Sequence, residues 1–261
     1  MDVIIRPTVK SAVDLTARLL ADAIRRRPNI TLGLATGRTM EAVYSELVRM
    51  HEEEALDFSL VRSFNLDEYV GLSGDNVNSY RYYMNYHLFN KVNIDKRNTF
   101  LPNGLAEDEE AEGKRYEEQI RLNGGVDIQL LGIGRSGHIG FNEPLSPLTS
   151  RTRSVNLTPE TINQNSPLFT YPDVMPHRAF TMGVGTCLDA RKLILLATGA
   201  EKAEIIAKAV EGPVTSMVSA SALQLHQDAI VILDEAAAAK LELKDYCNWV
   251  FANDPKWAPY R

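Results

Sequence analysis

Short, unbroken apolar runs alternate with stretches of helical periodicity along this chain, and that alternation leaves few folds open. NITLGLA (29–35), VDIQLLGI (126–133), KLILLAT (192–198) and AIVILD (229–234) are apolar along their length rather than at every second residue. Strands of that kind are buried on both faces, as in a parallel sheet covered by helices. Shorter runs at 2–5, 61–66 and 99–101 read as further strands. Over 8–27, apolar residues recur at Val9, Ala12, Val13, Leu19, Leu20, Ala23 and Ile24, the stripe of an amphipathic helix. Helices are also expected over 40–53, 78–89, 108–122 and 201–210, and from about 235 onward. There is no internal repeat, low-complexity tract or linker. The expectation is one α/β domain over 1–261, three-layered α/β/α around a mostly parallel sheet.

Bulk properties exclude several functions. A net charge of -6 argues against general nucleic-acid binding, though a local phosphate pocket remains compatible with it. The two cysteines, Cys187 and Cys247, suggest neither a disulfide framework nor a metal cluster. His51, His87, His177 and His226 form no ligand pattern, so no catalytic metal is expected. No apolar run reaches the roughly 18 residues of a membrane span, and the N-terminus lacks a signal-peptide core. The expected location is the cytoplasm, with no membrane or nucleic-acid partner.

In open parallel sheets the chemistry gathers beyond the C-terminal ends of the strands. Four polar sets fall there. Thr36-Gly37-Arg38-Thr39 follows a strand and opens a helix. It suits a phosphate, which would meet free N–H groups and the positive helix end, or it is simply a helix start with Thr39 as N-cap. Asp67-Glu68-Tyr69 puts two carboxylates at a strand end, where one can act as a general base or merely cap a turn. The loop GIGRSGHIGFNEP (132–144) holds His138 among glycines, with Glu143 five residues on. A histidine titrating near neutrality beside an orienting carboxylate is suited to proton transfer. Lys202, at the start of a helix, reads as a phosphate ligand or a solvated lysine.

These stretches carry a resemblance to the glucosamine-6-phosphate deaminases. LGLATGRT (32–39), SFNLDEYVGL (63–72), NSYRYYM (78–84), GIGRSGHIGFNEP, SRTR (150–153), MGVGT (182–186), TGAEKA (198–203) and LQLH (223–226) match in family order and span most of the chain. The resemblance implies a ribose-5-phosphate isomerase-like fold related also to 6-phosphogluconolactonase. It implies conversion of glucosamine 6-phosphate and water to fructose 6-phosphate and ammonia, a hydrolase and isomerase reaction needing no cofactor. By that analogy His138, oriented by Glu143, opens the sugar ring, and Asp67 moves the C2 proton toward C1. Gly37, Thr39 and Lys202 would hold the phosphate. Tyr80, Gly134 and Gly140 would contact the sugar, and residues about 153–181 would form a lid. The partner is then a small amino sugar phosphate; association of identical chains is left open.

This chain departs from the family pattern in three places. Ser136 stands where the family has aspartate or asparagine, which removes an acidic neighbour of His138. Pro167 stands where a lid arginine grips the phosphate. Val155 stands where allosteric members carry a lysine. Arg38, in the phosphate loop, is the expected substitute for the arginine missing at Pro167. A 6-phosphogluconolactonase would resemble this chain in fold, but its pattern has an arginine where Tyr69 stands and no FNEP continuation. A catalytically weak sugar-phosphate sensor is the other alternative.

Overall fold

The computed structural model describes residues 1–169 and 174–261. Among the described residues ten strands occur in chain order: β1 (Asp2–Arg6), β2 (Thr31–Leu34), β3 (Arg62–Asn65), β4 (Asp67–Tyr69), β5 (Thr99–Phe100), β6 (Ile128–Leu131), β7 (Arg153–Asn156), β8 (Arg178–Thr181), β9 (Lys192–Ala197) and β10 (Ala229–Asp234). Seven form one sheet in the order β1-β10-β9-β6-β2-β3-β5, and every neighbouring pair is parallel. The α-helices are α1 (Val9–Arg26), α2 (Arg38–Glu54), α3 (Tyr80–Met84), α4 (Glu109–Leu122), α5 (Pro159–Asn165), α6 (Val184–Leu188), α7 (Ala203–Val210) and α8 (Lys244–Asn253). Helices flank the sheet, and the architecture is the three-layer one expected. Every residue of β2, β6 and β10 is buried, as their unbroken apolar runs require.

Local chemistry explains where the elements begin. Thr8 caps α1 through a reciprocal pair: its side chain accepts from Ser11 N at 3.1 Å, and Ser11 Oγ accepts from Thr8 N at 3.0 Å. Beyond the cap, Ala12, Leu15, Leu19 and Ala23 lie on the buried stripe. The helix expected over 78–89 begins at Tyr80, capped by Ser79, and is divided, α3 passing into a π-turn over Asn85–Phe89.

Two helix boundaries differ from expectation. The residue capping α2 is Gly37, not Thr39; its φ of 101° favours a glycine, and the helix starts at Arg38 with no side-chain cap. Nor does a helix begin at 235. Residues 235–240 are turns, because Asp234 Oδ1 accepts from Ala237 N at 2.9 Å and Gly199 N at 3.0 Å. A side chain that captures nearby backbone N–H groups stabilises a turn against helix. The last helix is delayed to Lys244.

The second sheet was not expected at all. It is antiparallel, β4-β8-β7, and sits beside the C-terminal end of β3. Leu66 makes the junction: its N–H bonds to Leu34 O at 3.0 Å in the large sheet, and its carbonyl accepts from Met182 N at 2.6 Å. The chain thus leaves one sheet and enters the other within a residue, which fixes Asp67 at the corner. Tyr69, Phe141, Leu157, Met175 and Ala179 form a small separate core there. The lid expected over 153–181 therefore has its two ends held as strands, and its part over 170–173 lies outside the described residues.

Candidate active site

A cleft of about 570 Å³ opens beyond the C-terminal ends of β2, β3 and β6. Thr36, Gly37, Arg38, Thr39, Asp67, Tyr80, Gly134, His138, Gly140 and Lys202 all line it. Glu143 lies behind His138 rather than on the wall. A larger groove, about 1180 Å³, runs along α4 and residues 151–154 but contains none of these groups. Its basic residues are occupied: Arg151 pairs with Glu117 and Asp189, and Lys114 with Glu110. Chemistry therefore selects the smaller cleft.

Asp67 is buried, and its Oδ1 has no hydrogen-bond partner. Burial first, and the neighbouring Glu68 second, push its carboxyl up to about 8. An acid of that kind can exchange a proton near neutral pH, which an exposed aspartate cannot. Gly140, with φ 55°, lets the backbone pass close by, since a Cβ there would come 3.6 Å from Asp67 Oδ2 and 2.6 Å from Thr181 Oγ1.

His138 is fixed from one side. Its Nδ1 lies 3.0 Å from Glu143 Oε2 and 2.7 Å from Ser136 Oγ. A carboxylate can only accept, so Nδ1 carries the hydrogen and Nε2 is left as the acceptor. Gly134 is what makes room for the ring: a Cβ at that residue would stand 2.1 Å from Nε2. Ser136 also donates to Glu143 Oε2 at 3.3 Å. The acidic neighbour missing at 136 is thus replaced by a hydroxyl that bridges the histidine and its carboxylate.

Glu143 is satisfied at both oxygens. Oε1 accepts from Thr158 Oγ1 at 3.1 Å and from Thr161 Oγ1. Burial would raise its pKa, but the bond to His138, its charge and the two threonines outweigh that and hold it at about 2. It is an ionised anchor. Thr158 is also the N-cap of α5, accepting from Thr161 N.

At the other end of the cleft the α2 N-terminus has no side-chain cap, so its first N–H groups face the opening. Lys202 Nζ donates to Ile133 O at 2.8 Å; burial, with Arg135 nearby, lowers its pKa. Arg38 and Arg135 line the same opening, and among the described residues neither donates a hydrogen bond nor forms an ion pair. Arg178, by contrast, is held by Glu109 and Ser154. Elsewhere on the cleft wall, Tyr80 stacks on Phe141 with ring centroids 6.2 Å apart and donates to Tyr69 Oη at 3.3 Å.

The pattern described as glucosamine-6-phosphate isomerases/6-phosphogluconolactonase matches residues 6–232. This chain belongs to that family. Within the family, the glucosamine-6-phosphate deaminase of Shewanella loihica is 48% identical over 254 residues, 97% of this chain and 95% of that one. The enzyme of the same name from Clostridium perfringens is 48% identical over 242 residues, 93% of this chain and 100% of the relative. The solved structure of a monomeric glucosamine-6-phosphate deaminase has a TM-score of 0.89 and 44% identity, covering 92% of this chain and 100% of that one. A 6-phosphogluconolactonase from Trypanosoma cruzi has a TM-score of 0.72 at 20% identity, a likeness of fold alone. The isomerase half of the family description and these deaminase names speak of isomerisation and deamination; the deaminase names do not carry the expected hydrolase class.

Family motifs pointed to the cleft but not to everything around it. Thr158 and Thr161 fall outside every matching stretch, yet both end on Glu143. Their signal was a capping pattern, Thr-Pro-Glu-Thr, readable as a helix start and silent on the helix's target. Among the described residues no helix is long and apolar enough to cross a membrane.

Proposed function

We propose that this chain isomerises and deaminates glucosamine 6-phosphate, giving fructose 6-phosphate and ammonia. The observation that carries the reading is a buried carboxyl with a free oxygen in one cleft with a histidine anchored through Nδ1. His138 Nε2 takes the proton of the C1 hydroxyl and returns one to the ring oxygen, opening the ring. Asp67 then removes the proton from C2, acidified by the adjacent aldehyde, and an enolamine forms. Protonation at C1 gives the C2 imine. Water adds to that carbon and ammonia leaves, so the water oxygen becomes the ketone. The phosphate rests on the N–H groups of the Thr36–Thr39 turn and on Lys202, and Tyr80, Gly134 and Gly140 border the sugar.

Residues 153–181 serve as a lid on the single domain, a role supported by Gln164, Asn165, Leu168 and Phe169 on the cleft wall. The two free cysteines fit a reducing cytoplasm. Ammonia release from glucosamine 6-phosphate tests the reading, with 6-phosphogluconolactone hydrolysis run beside it. Lactone hydrolysis without ammonia release would reassign the chain, and binding without turnover would make it a sensor.

Arg38 bears on the phosphate. A dianion in a covered pocket needs cationic partners, and Arg38 is unengaged beside the turn. Arg38→Ala is expected to raise KM for the sugar phosphate, and the inhibition constant of inorganic phosphate in parallel, each roughly tenfold. If both stay within about twofold of the parent, a difference well under 1 kcal/mol, Arg38 does not hold the phosphate.

A further inference from the structure

Two adjacent buried carboxyls, Asp67 and Glu68, have opposite surroundings. Successive side chains of a strand point to opposite faces, so when Asp67 looks into the cleft Glu68 looks away from it. Asp67 Oδ1 has no partner. Glu68 Oε1 accepts from Tyr69 N at 2.9 Å and from Tyr80 N at 2.9 Å, and Oε2 accepts from Arg81 N at 2.9 Å. Two of those N–H groups belong to the first turn of α3, whose first residue, Tyr80, lines the cleft. The Arg81 guanidinium is turned to Thr99, donating to Oγ1 at 2.8 Å and to the carbonyl at 2.9 Å. It reinforces the join without occupying the carboxylate.

We propose that Glu68 is a positioning residue for the reaction: its ionised carboxylate clamps the N-terminus of α3 to β4, and so sets Asp67 and Tyr80 in fixed places on one wall of the cleft. The inference rests on the deaminase reading of that cleft. Where two carboxyls adjoin, the one whose anion is stabilised by N–H donors ionises first, and its charge holds the proton on the other. Glu68 has three such donors and Asp67 Oδ1 has none. Burial, the largest influence, leaves Glu68 above the ordinary carboxyl range, while the three backbone N–H groups and the Arg81 charge oppose it. Asp67 also acts electrostatically on five titratable groups, Tyr44 of α2, Tyr69 of β4, Tyr80 of α3, Tyr116 of α4 and Cys187 of α6, while His138 shares its cleft. Burial raises all five, so they stay neutral in the working range. Burial is the larger cause of the raised Asp67 carboxyl, and Glu68 is the neighbouring charge that adds to it.

The test compares Glu68→Gln with the parent. The Asp67 carboxyl is followed by carbon-13 NMR of aspartate-labelled protein without substrate, Asp67→Asn assigning the signal. Its midpoint, near about 8 in the parent, should fall by roughly one pH unit in Glu68→Gln. Turnover should drop roughly ten- to a hundredfold, with KM changing less, because the wall bearing the base has moved. A helix cap with no further role would lower thermal stability and leave the Asp67 midpoint in place; that result, or parent turnover, overturns the proposal. If Glu68→Gln does not fold, Glu68→Asp decides: it keeps the charge and shortens the reach, so turnover falls while the midpoint stays. Parent turnover in Glu68→Asp overturns the clamp. If the parent releases no ammonia, the deaminase reading fails separately, and the NMR midpoint alone decides the role of Glu68.

Discussion

Asp67→Asn is expected to lower deaminase turnover by roughly 10² to 10⁴, the range for loss of a general base. The substitution keeps the shape and removes the proton acceptor. Exchange of the substrate C2 hydrogen with solvent should vanish with turnover, and exchange at the parent rate would rule Asp67 out as the base. The parent should show a matching pH profile. The base works only when ionised and its carboxyl sits at about 8, so kcat/KM should climb about tenfold per pH unit below that value and then level.

The same change should make the protein more stable. The folded pKa of Asp67 is about 8 against an ordinary 3.8. Between those values the folded state holds a proton that the unfolded state has lost, so stability declines as pH rises through the window. Below the lower value Asp67 costs nothing by this route; above the upper one the whole penalty, of the order of a few kcal/mol, is in place. Asparagine is neutral throughout. Asp67→Asn should therefore unfold at a higher temperature than the parent at pH 8.5 and nearly the same temperature at pH 4. An equal difference at both pH values would mean that Asp67 is not held protonated.

His138→Gln should reduce kcat on the cyclic sugar phosphate by roughly 10² to 10⁴ while changing KM little. Glutamine fills much of the same space but cannot shuttle a proton. The anchoring of Nδ1 on Glu143 at 3.0 Å is what leaves Nε2 to act as the base. A kcat at the parent level would dismiss His138 from ring opening. A raised KM with unchanged kcat would make it a binding group only.

Much of the sheet could be read directly because burial on both faces leaves a mark: AIVILD and KLILLAT are apolar throughout, and β10 and β9 are where they fall. The second sheet left no such mark. β4 is three residues long and charged at two of them, and β7 is half-exposed along most of its length. Their pairing is dictated by Leu66 joining both sheets, a long-range fact with no local spelling. Asp67 could therefore be placed near a strand end and offered as a base, but the burial that raises its carboxyl could not be foreseen. The misplaced helix after β10 has the same cause. Alanines 236–239 favour a helix locally, and Asp234 overrides them with bonds to Ala237 and Gly199. Ser136 shows the reverse: the departure was visible in the sequence, while the bridging hydroxyl that compensates it needed coordinates.

The threonine that starts α5 also ends on Glu143, and this ties two timescales together. Swinging the α5 segment outward would strip Oε1 of both hydroxyls and release the carboxylate from its fixed orientation toward His138. Entry of a sugar and exit of its product would then each cross a state in which the acid–base pair is slack. With α5 seated, both Glu143 oxygens are engaged and the imidazole stays aimed.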